Sequence, residues 1–239
     1  MLKNKELIIV NSILFIILFA FGAAVLTSGQ TMPVFNPVND PIYGVDIDQK
    51  QISIMCNVYW GTEYIEPYLK LFEEHNIKIT FFIGGSWAAD NPDLVQRMQQ
   101  AGHEIANHGY SHKLASKNSV NVMNDELVKA DRLLTEICGV KPTLYAPPSG
   151  DFTKESLDIA KKNGYNTIMW TIDTIDWRDK DCEKVKKRIV NNVKPGAFIL
   201  LHPTKQTLDA LQEVIPKLIN EGYRFDTVSS LIKLAQKVQ

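Results

Sequence analysis

Cysteine, net charge and internal repetition are what this chain has least of. Only Cys56, Cys138 and Cys182 occur in 239 residues, an odd number without C-x-x-C spacing. That excludes a disulfide framework and a cysteine-based structural zinc site, and the three read as buried thiols. Twenty-six basic residues against twenty-seven acidic ones leave a formal net charge of -1, with the signs mixed along the chain. No basic face remains to neutralise phosphates, so no nucleic-acid partner is expected. No repeat or low-complexity tract is evident, and no protein partner is indicated. What is present is 45% apolar content, enough for one sizeable core.

The amino terminus carries a run of twenty residues from Leu7 to Leu26 with no charge and only Asn11 and Ser12 polar. At helical rise this spans the roughly 30 Å of a hydrocarbon layer. Lys3 and Lys5 precede it, whereas the TSGQT that follows is uncharged, which places the short amino terminus inside and the remainder outside. Residues 1–26 are therefore expected to be a cytoplasmic stub and a transmembrane signal-anchor helix of a single-pass cell-membrane protein. Cleavage and secretion is the alternative, though a signal peptide's apolar region is typically about 7 to 15 residues. Residues 27–41, with Pro33, Pro37 and Pro41 among Asn36, Asn39 and Asp40, read as an extracytoplasmic stalk.

From residue 42 to 239 one domain is expected. Ile42–Asp46 and Gln51–Asn57 flank a polar Asp48, Gln49, Lys50 turn and read as a hairpin. Seven strands centred on Ile54, Phe81, Ile105, Tyr145, Ile168, Leu200 and Phe225 then alternate with stretches of helical period. Asn91 before Pro92 reads as an N-cap with proline at the first helical position. Gly102, Gly139, Gly164 and Gly222 read as left-handed helix ends. Over Val122–Cys138 a stripe of Leu127, Ala130, Leu134 and Ile137 predicts a helix covering a sheet. Strands joined through helices run parallel, and seven of them predict an α/β fold of the distorted (β/α)7 TIM-like barrel type, with an open doubly wound sheet as the alternative. Pro216 should kink or split the helix from about Thr207 to Glu221.

In such a barrel, chemistry collects where strands end. Strand three ends in HEIANHGYSH, placing His108 and His112 four apart, a spacing that on a helical turn offers two imidazoles to a divalent metal. Such a pair alone is more often incidental. Strand five supplies Asp173, Asp176 and Trp177, and strand six supplies His202. A carboxylate beside an imidazole fixes its tautomer and makes a general acid. Singly, each has a plainer reading as a helix cap or a satisfied histidine.

The ordered segments TFFIGG, AGHEIANHGYSH, APPSG, DTIDW and LLHP resemble the polysaccharide deacetylase family, the NodB-homology or carbohydrate esterase family four. NVYWGTEY, YAPPSGDF and TIMWTIDTIDW point within it to sporulation-associated deacetylase-like proteins. The resemblance implies N-deacetylation of cell-wall polysaccharide by a metal-bound water. It implies zinc held by an aspartate with His108 and His112, and His202 as the acid with Asp176 and Trp177 beside it.

Departures from the family pattern are equally specific. Where the family reads TFDDG, the aligned residues are Met55 to Tyr59, with Asn57 at the general-base position and Val58 at the metal-aspartate position. An amide takes no proton from water, and an isopropyl group has no lone pair. Ala146 replaces the arginine that pairs with the catalytic aspartate, a linked loss that avoids a buried unpaired charge. Ser149 replaces an aromatic residue but keeps the backbone N–H of the oxyanion contact. A substitute metal ligand would have to come from Asn57, Glu63 or Asp173, and zinc binding is expected to be weak or absent. Trp177, Pro148, Ser149, Trp60 and Tyr110 are the candidate sugar contacts, whereas His75 and His103 read as structural or exposed. The implied activity is an attenuated deacetylation of peptidoglycan or cortex amino sugars; the alternative is a catalytically inactive glycan-binding pseudoenzyme.

Overall fold

The computed structural model describes residues 40–238. The expected anchor and almost all of the expected stalk lie outside the described residues, among which no helix is long and apolar enough to cross a membrane. The described residues form one curled parallel sheet with helices packed on its outer face, an α/β architecture.

Eight strands run in the spatial order β5 (Asn166–Thr167), β4 (Leu144–Tyr145), β3 (Glu104–Asn107), β2 (Thr80–Ile83), β1 (Gln51–Val58), β7 (Phe198–Leu201) and β6 (Ile172–Asp173), with β8 (Arg224–Phe225) paired to the start of β1. All pairings are parallel, as the intervening helices require. One strand more than expected is present because the segment around Ile168 divides. β5 ends at Thr167, and Ile172–Asp173 pairs separately with β7.

The expected hairpin does not form. Ile42 bridges Ile168 in parallel and Gly44 bridges Ala197 in antiparallel sense, so this segment lies between β5 and the entrance of β7 instead of folding onto β1. Its bonds Ile42 N–H to Thr167 O (2.9 Å) and Val45 N–H to Gly196 O (3.0 Å) occupy backbone groups that the sheet edges would otherwise leave unpaired.

Strand alternation divides the core. Along β1, Ile52, Ile54, Cys56 and Val58 face the outer layer with helices α1 (Thr62–Glu74), α2 (Gly85–Asp90), α3 (Pro92–Gln100), α6 (Cys182–Asn192) and α7 (Lys205–Asn220). Met55 faces inward with Phe82, Ala106, Phe198 and Leu200. This inner cluster is closed by Val228, Leu231 and Ile232 of the last helix, α8 (Val228–Val238). The remaining helices, α4 (Val120–Cys138) and α5 (Lys154–Lys162), lie over the β3–β5 side.

Helix ends follow the sequence closely, with one correction, at Pro216. Gly102, Gly139, Gly164 and Gly222 all have positive φ. Asn91 stands at the N-cap of α3 with Pro92 in its first turn, but its side chain makes no capping bond and its amide donates to Trp87 O at 2.9 Å. Pro216 does not split α7, which continues through it to Asn220. The missing Pro216 N–H costs one bond, and the buried face of Leu211, Val214, Ile215 and Leu218 holds the helix together.

Candidate active site

A cavity of about 370 Å³ opens at the carboxyl ends of the strands. It is lined by residues from six separate segments, including Asn57, His108, His112, Asp173, Trp177 and His202. Each stands at or just beyond a strand end, where the parallel sheet leaves its loops free to vary.

His108 follows β3 and is buried, with Nδ1 2.8 Å from the carbonyl oxygen of Ala146. A carbonyl only accepts, so Nδ1 carries the proton and Nε2 keeps a lone pair. Burial, then the neighbouring charge of His112, pushes the His108 pKa down to about 3 despite that hydrogen bond. His112 lies 5.2 Å away between ring centroids, and burial lowers its pKa as well. The two rings meet without a helical turn: Gly109 at φ 75° and His112 at φ 57° reverse a loop. That loop is held by Glu126 of α4, whose buried carboxylate accepts from Tyr110 N–H (3.1 Å) and Ser111 N–H (2.5 Å).

Across the cavity, Asp176 is 1% exposed and saturated with donors. It accepts from His202 Nδ1 (2.8 Å), His202 N–H (2.7 Å) and Thr207 Oγ1 (2.7 Å), while its own carbonyl accepts from Gln206 (2.8 Å). These bonds fix the His202 ring, and Trp60 stacks flat on it at 5.7 Å with a 6° interplanar angle. Trp60 and Trp177 are 43% and 56% exposed, so their apolar faces are available at the mouth.

The strand-end substitutions fall out differently from one another. Asn57 lines the cavity, and its buried Oδ1 has no hydrogen-bond partner among the described residues. Val58 does not reach the cavity. Strand alternation turns it into the helix-facing core, and the next residue, Tyr59, supplies the wall beside His112 at 5.1 Å. Tyr110 and Pro148 also lie off the lining, Tyr110 with its ring under the ammonium of Lys129 at 3.6 Å. Ser149 does line it, at φ 57°. Glu63 sits in the first turn of α1, outside the cavity. Tyr59, Trp170, Gly150 and Leu200 line the cavity although sequence reasoning did not select them. Parity would have found Tyr59, two residues from Asn57 on the same strand face.

Among the described residues, no group of three or more His, Cys, Asp or Glu side chains is arranged to hold a metal ion. His108 and His112 offer two nitrogen donors, one fewer than the three protein ligands usual at catalytic zinc. The residues present do not fit the family's metal.

A fold of strand-end loops over a curled parallel sheet, with paired imidazoles facing an aspartate-held imidazole, defines the polysaccharide deacetylase class. The polysaccharide deacetylase family model matches residues 44–168, and the chain belongs to that family. An uncharacterised Bacillus subtilis protein, YlxY, is 37% identical over 193 residues, covering 81% of this chain and 60% of that protein. A Bacillus cereus peptidoglycan-N-acetylglucosamine deacetylase is 33% identical over 203 residues, covering 82% and 95%. The chain thus spans less than two thirds of YlxY's length. The structure of BA3943 from Bacillus anthracis, described as a CE4 family pseudoenzyme, superposes with a TM-score of 0.79 at 34% identity over 83% of this chain and 70% of that one. A mutant of that protein is described as having restored enzymatic activity.

Proposed function

We propose that this chain binds cell-wall glycan in a deacetylase cleft whose hydrolytic machinery has been dismantled. The single observation that carries the reading is the end of β1, where the cavity receives an amide from Asn57 and a phenol ring from Tyr59 and no carboxylate at all. With an amide at the family's base position, that position takes no proton from water, a loss that typically costs about 10² to 10⁴ in rate. Without a third ligand, a zinc ion is weakly held. The binding surfaces survive: Trp60 and Trp177 present faces on which sugar rings stack, above a concave floor. The likeness to a described pseudoenzyme supports the same reading.

Attenuated deacetylation is the second reading, favoured by the intact Asp176–His202 pair, which retains the orientation a proton donor to a leaving amine requires. The anchor read from residues 7–26 would hold this domain outside the membrane, facing the wall. The test uses the full-length protein with purified peptidoglycan. Co-sedimentation is expected, with acetate release from N-acetylglucosamine oligomers in added zinc at least about a hundredfold below that of an active family member. Release within tenfold of the active enzyme establishes the second reading instead, and absence of co-sedimentation overturns the first.

A further inference from the structure

The loop that carries Asp176 and Trp177 is held in a conformation its own sequence opposes. Ile175 is half-buried and sits at φ 51°, in the left-handed region that a β-branched residue rarely enters. Both of its neighbours are fixed. Thr174 is buried against β7, its N–H and Oγ1 donating to Leu200 O at 3.2 and 2.8 Å, and Asp176 is tied to His202 and Thr207. The Ile175 N–H donates to Asp173 Oδ1 at 2.8 Å, while its carbonyl accepts from Arg178 N–H (3.2 Å) and Asp179 N–H (2.9 Å).

Arg188 of α6 reaches this loop from outside it. Its Nη1 donates to Thr174 O at 2.6 Å and its Nη2 pairs with Asp179. The side chains of that pair are 24% and 17% exposed, so salt screens it less than a surface pair. Asp179 also accepts from Arg178 Nε at 2.9 Å, and the bonds from Arg178 and Arg188 hold its carboxyl below the usual carboxylate range. Arg178 in turn sets its guanidinium over the Trp177 indole, 6.0 Å from the ring centroid. A run of charge-assisted contacts therefore leads from an outer-layer helix to the exposed indole at the cavity mouth.

We infer that Arg188 is a positioning residue for glycan binding: it locks Ile175 in the left-handed conformation, and that turn sends Asp176 inward to His202 while Trp177 stands out at the mouth. The inference rests on the glycan-binding reading and adds how one of its stacking surfaces is set. Left-handed backbone at a residue with a Cβ is disfavoured by about tenfold in population, and bonds from outside the loop offset that strain. Without the clamp the turn relaxes and Trp177 loses its orientation. Glycine at position 175 removes the penalty, so it should make the clamp dispensable.

The experiment is calorimetric titration of the full-length protein with tetra-N-acetylglucosamine, in the wild type, Arg188→Ala, Ile175→Gly and the double variant, each shown to be folded by its melting curve. Arg188→Gln serves if the alanine variant does not fold. Arg188→Ala is expected to weaken binding about tenfold, and Ile175→Gly to stay within about threefold of the wild type. The double variant is expected to recover to within about threefold even though its melting temperature stays low, which a merely structural role for Arg188 would not produce. Amide exchange at Asp179, whose N–H bonds Ile175 O, should accelerate in Arg188→Ala and slow again in the double variant. Wild-type affinity in Arg188→Ala, a loss that glycine does not recover, or unchanged exchange at Asp179 overturns the inference and leaves glycan binding standing. A wild-type protein that binds neither the oligomer nor peptidoglycan overturns the glycan reading, and the inference with it.

Discussion

His103 shows how a single residue ties sequence to pH-dependent stability. Its ring is buried edge-on against Phe72 and Phe81, and its Nδ1 accepts from Ile79 N–H at 3.2 Å, which requires that nitrogen to be unprotonated. Burial, then the charge of Lys78, pushes its pKa from 6.5 down to about 4. The folded state therefore prefers the neutral ring, and the unfolded chain takes up a proton first as pH falls. Stability is complete above about pH 6.5 and declines toward pH 4, by about 2 to 3 kcal/mol for this group. Urea midpoints measured at pH 7 and pH 4.5 should show that loss, and His103→Gln should flatten the profile. His108, held down to about 3, adds a decline of the same sign, so the slope is reduced and not abolished. A His103→Gln profile parallel to the wild type would refute the assignment. Sequence reading set His103 aside as structural or exposed, and nothing local shows that two phenylalanines from α1 and β2 enclose it.

At the scale of elements, the segment Ile42–Val45 illustrates what a local pattern misreads. Two apolar runs around a polar turn satisfy every rule for a hairpin, yet β1 already has β2, β7 and β8 as partners, so the first run goes to the unpaired edge of β5 and to Ala197 at the entrance of β7. Gly196 is the residue that permits this. At φ 76°, a Cβ built on it would lie 1.8 Å from the Val45 carbonyl oxygen. Gly196→Ala should therefore cost more than about 2 kcal/mol in denaturant unfolding, from backbone strain plus the displaced segment. Amide exchange at Val45, whose N–H bonds Gly196 O, should accelerate selectively; unchanged exchange there would show that the segment tolerates the displacement. The helices were more legible than the strands, because caps, left-handed glycines and the Leu127, Ala130, Leu134 stripe are all encoded within a few residues. The two-residue strands β5 and β6 carry no such internal signature.

At the scale of the described domain, the inner face of the curled sheet is covered by the last helix. Val228, Leu231 and Ile232 are buried in the inner cluster, and Val228 N–H donates to Thr80 Oγ1 at 2.9 Å. Ending the chain at Thr227 removes these three side chains and uncovers the residues they pack on, a loss of roughly 5 kcal/mol or more. The truncated protein is expected to lack near-UV circular dichroism and a cooperative melt; a cooperative transition within a few degrees of the full chain would show that the helix is dispensable. What the sequence alone determined is the class: the order of strands and helices, the strand-end positions of His108, Asp176 and His202, and the absence of an aspartate at Asn57 are all properties of short stretches read in order. Which of these residues share one cavity, that Tyr59 and not Val58 turns toward it, and that Asn57 is left without a partner were decided only by the tertiary structure. These depend on the curl of the sheet and on contacts between segments 50 to 150 residues apart, and no local periodicity encodes such distances.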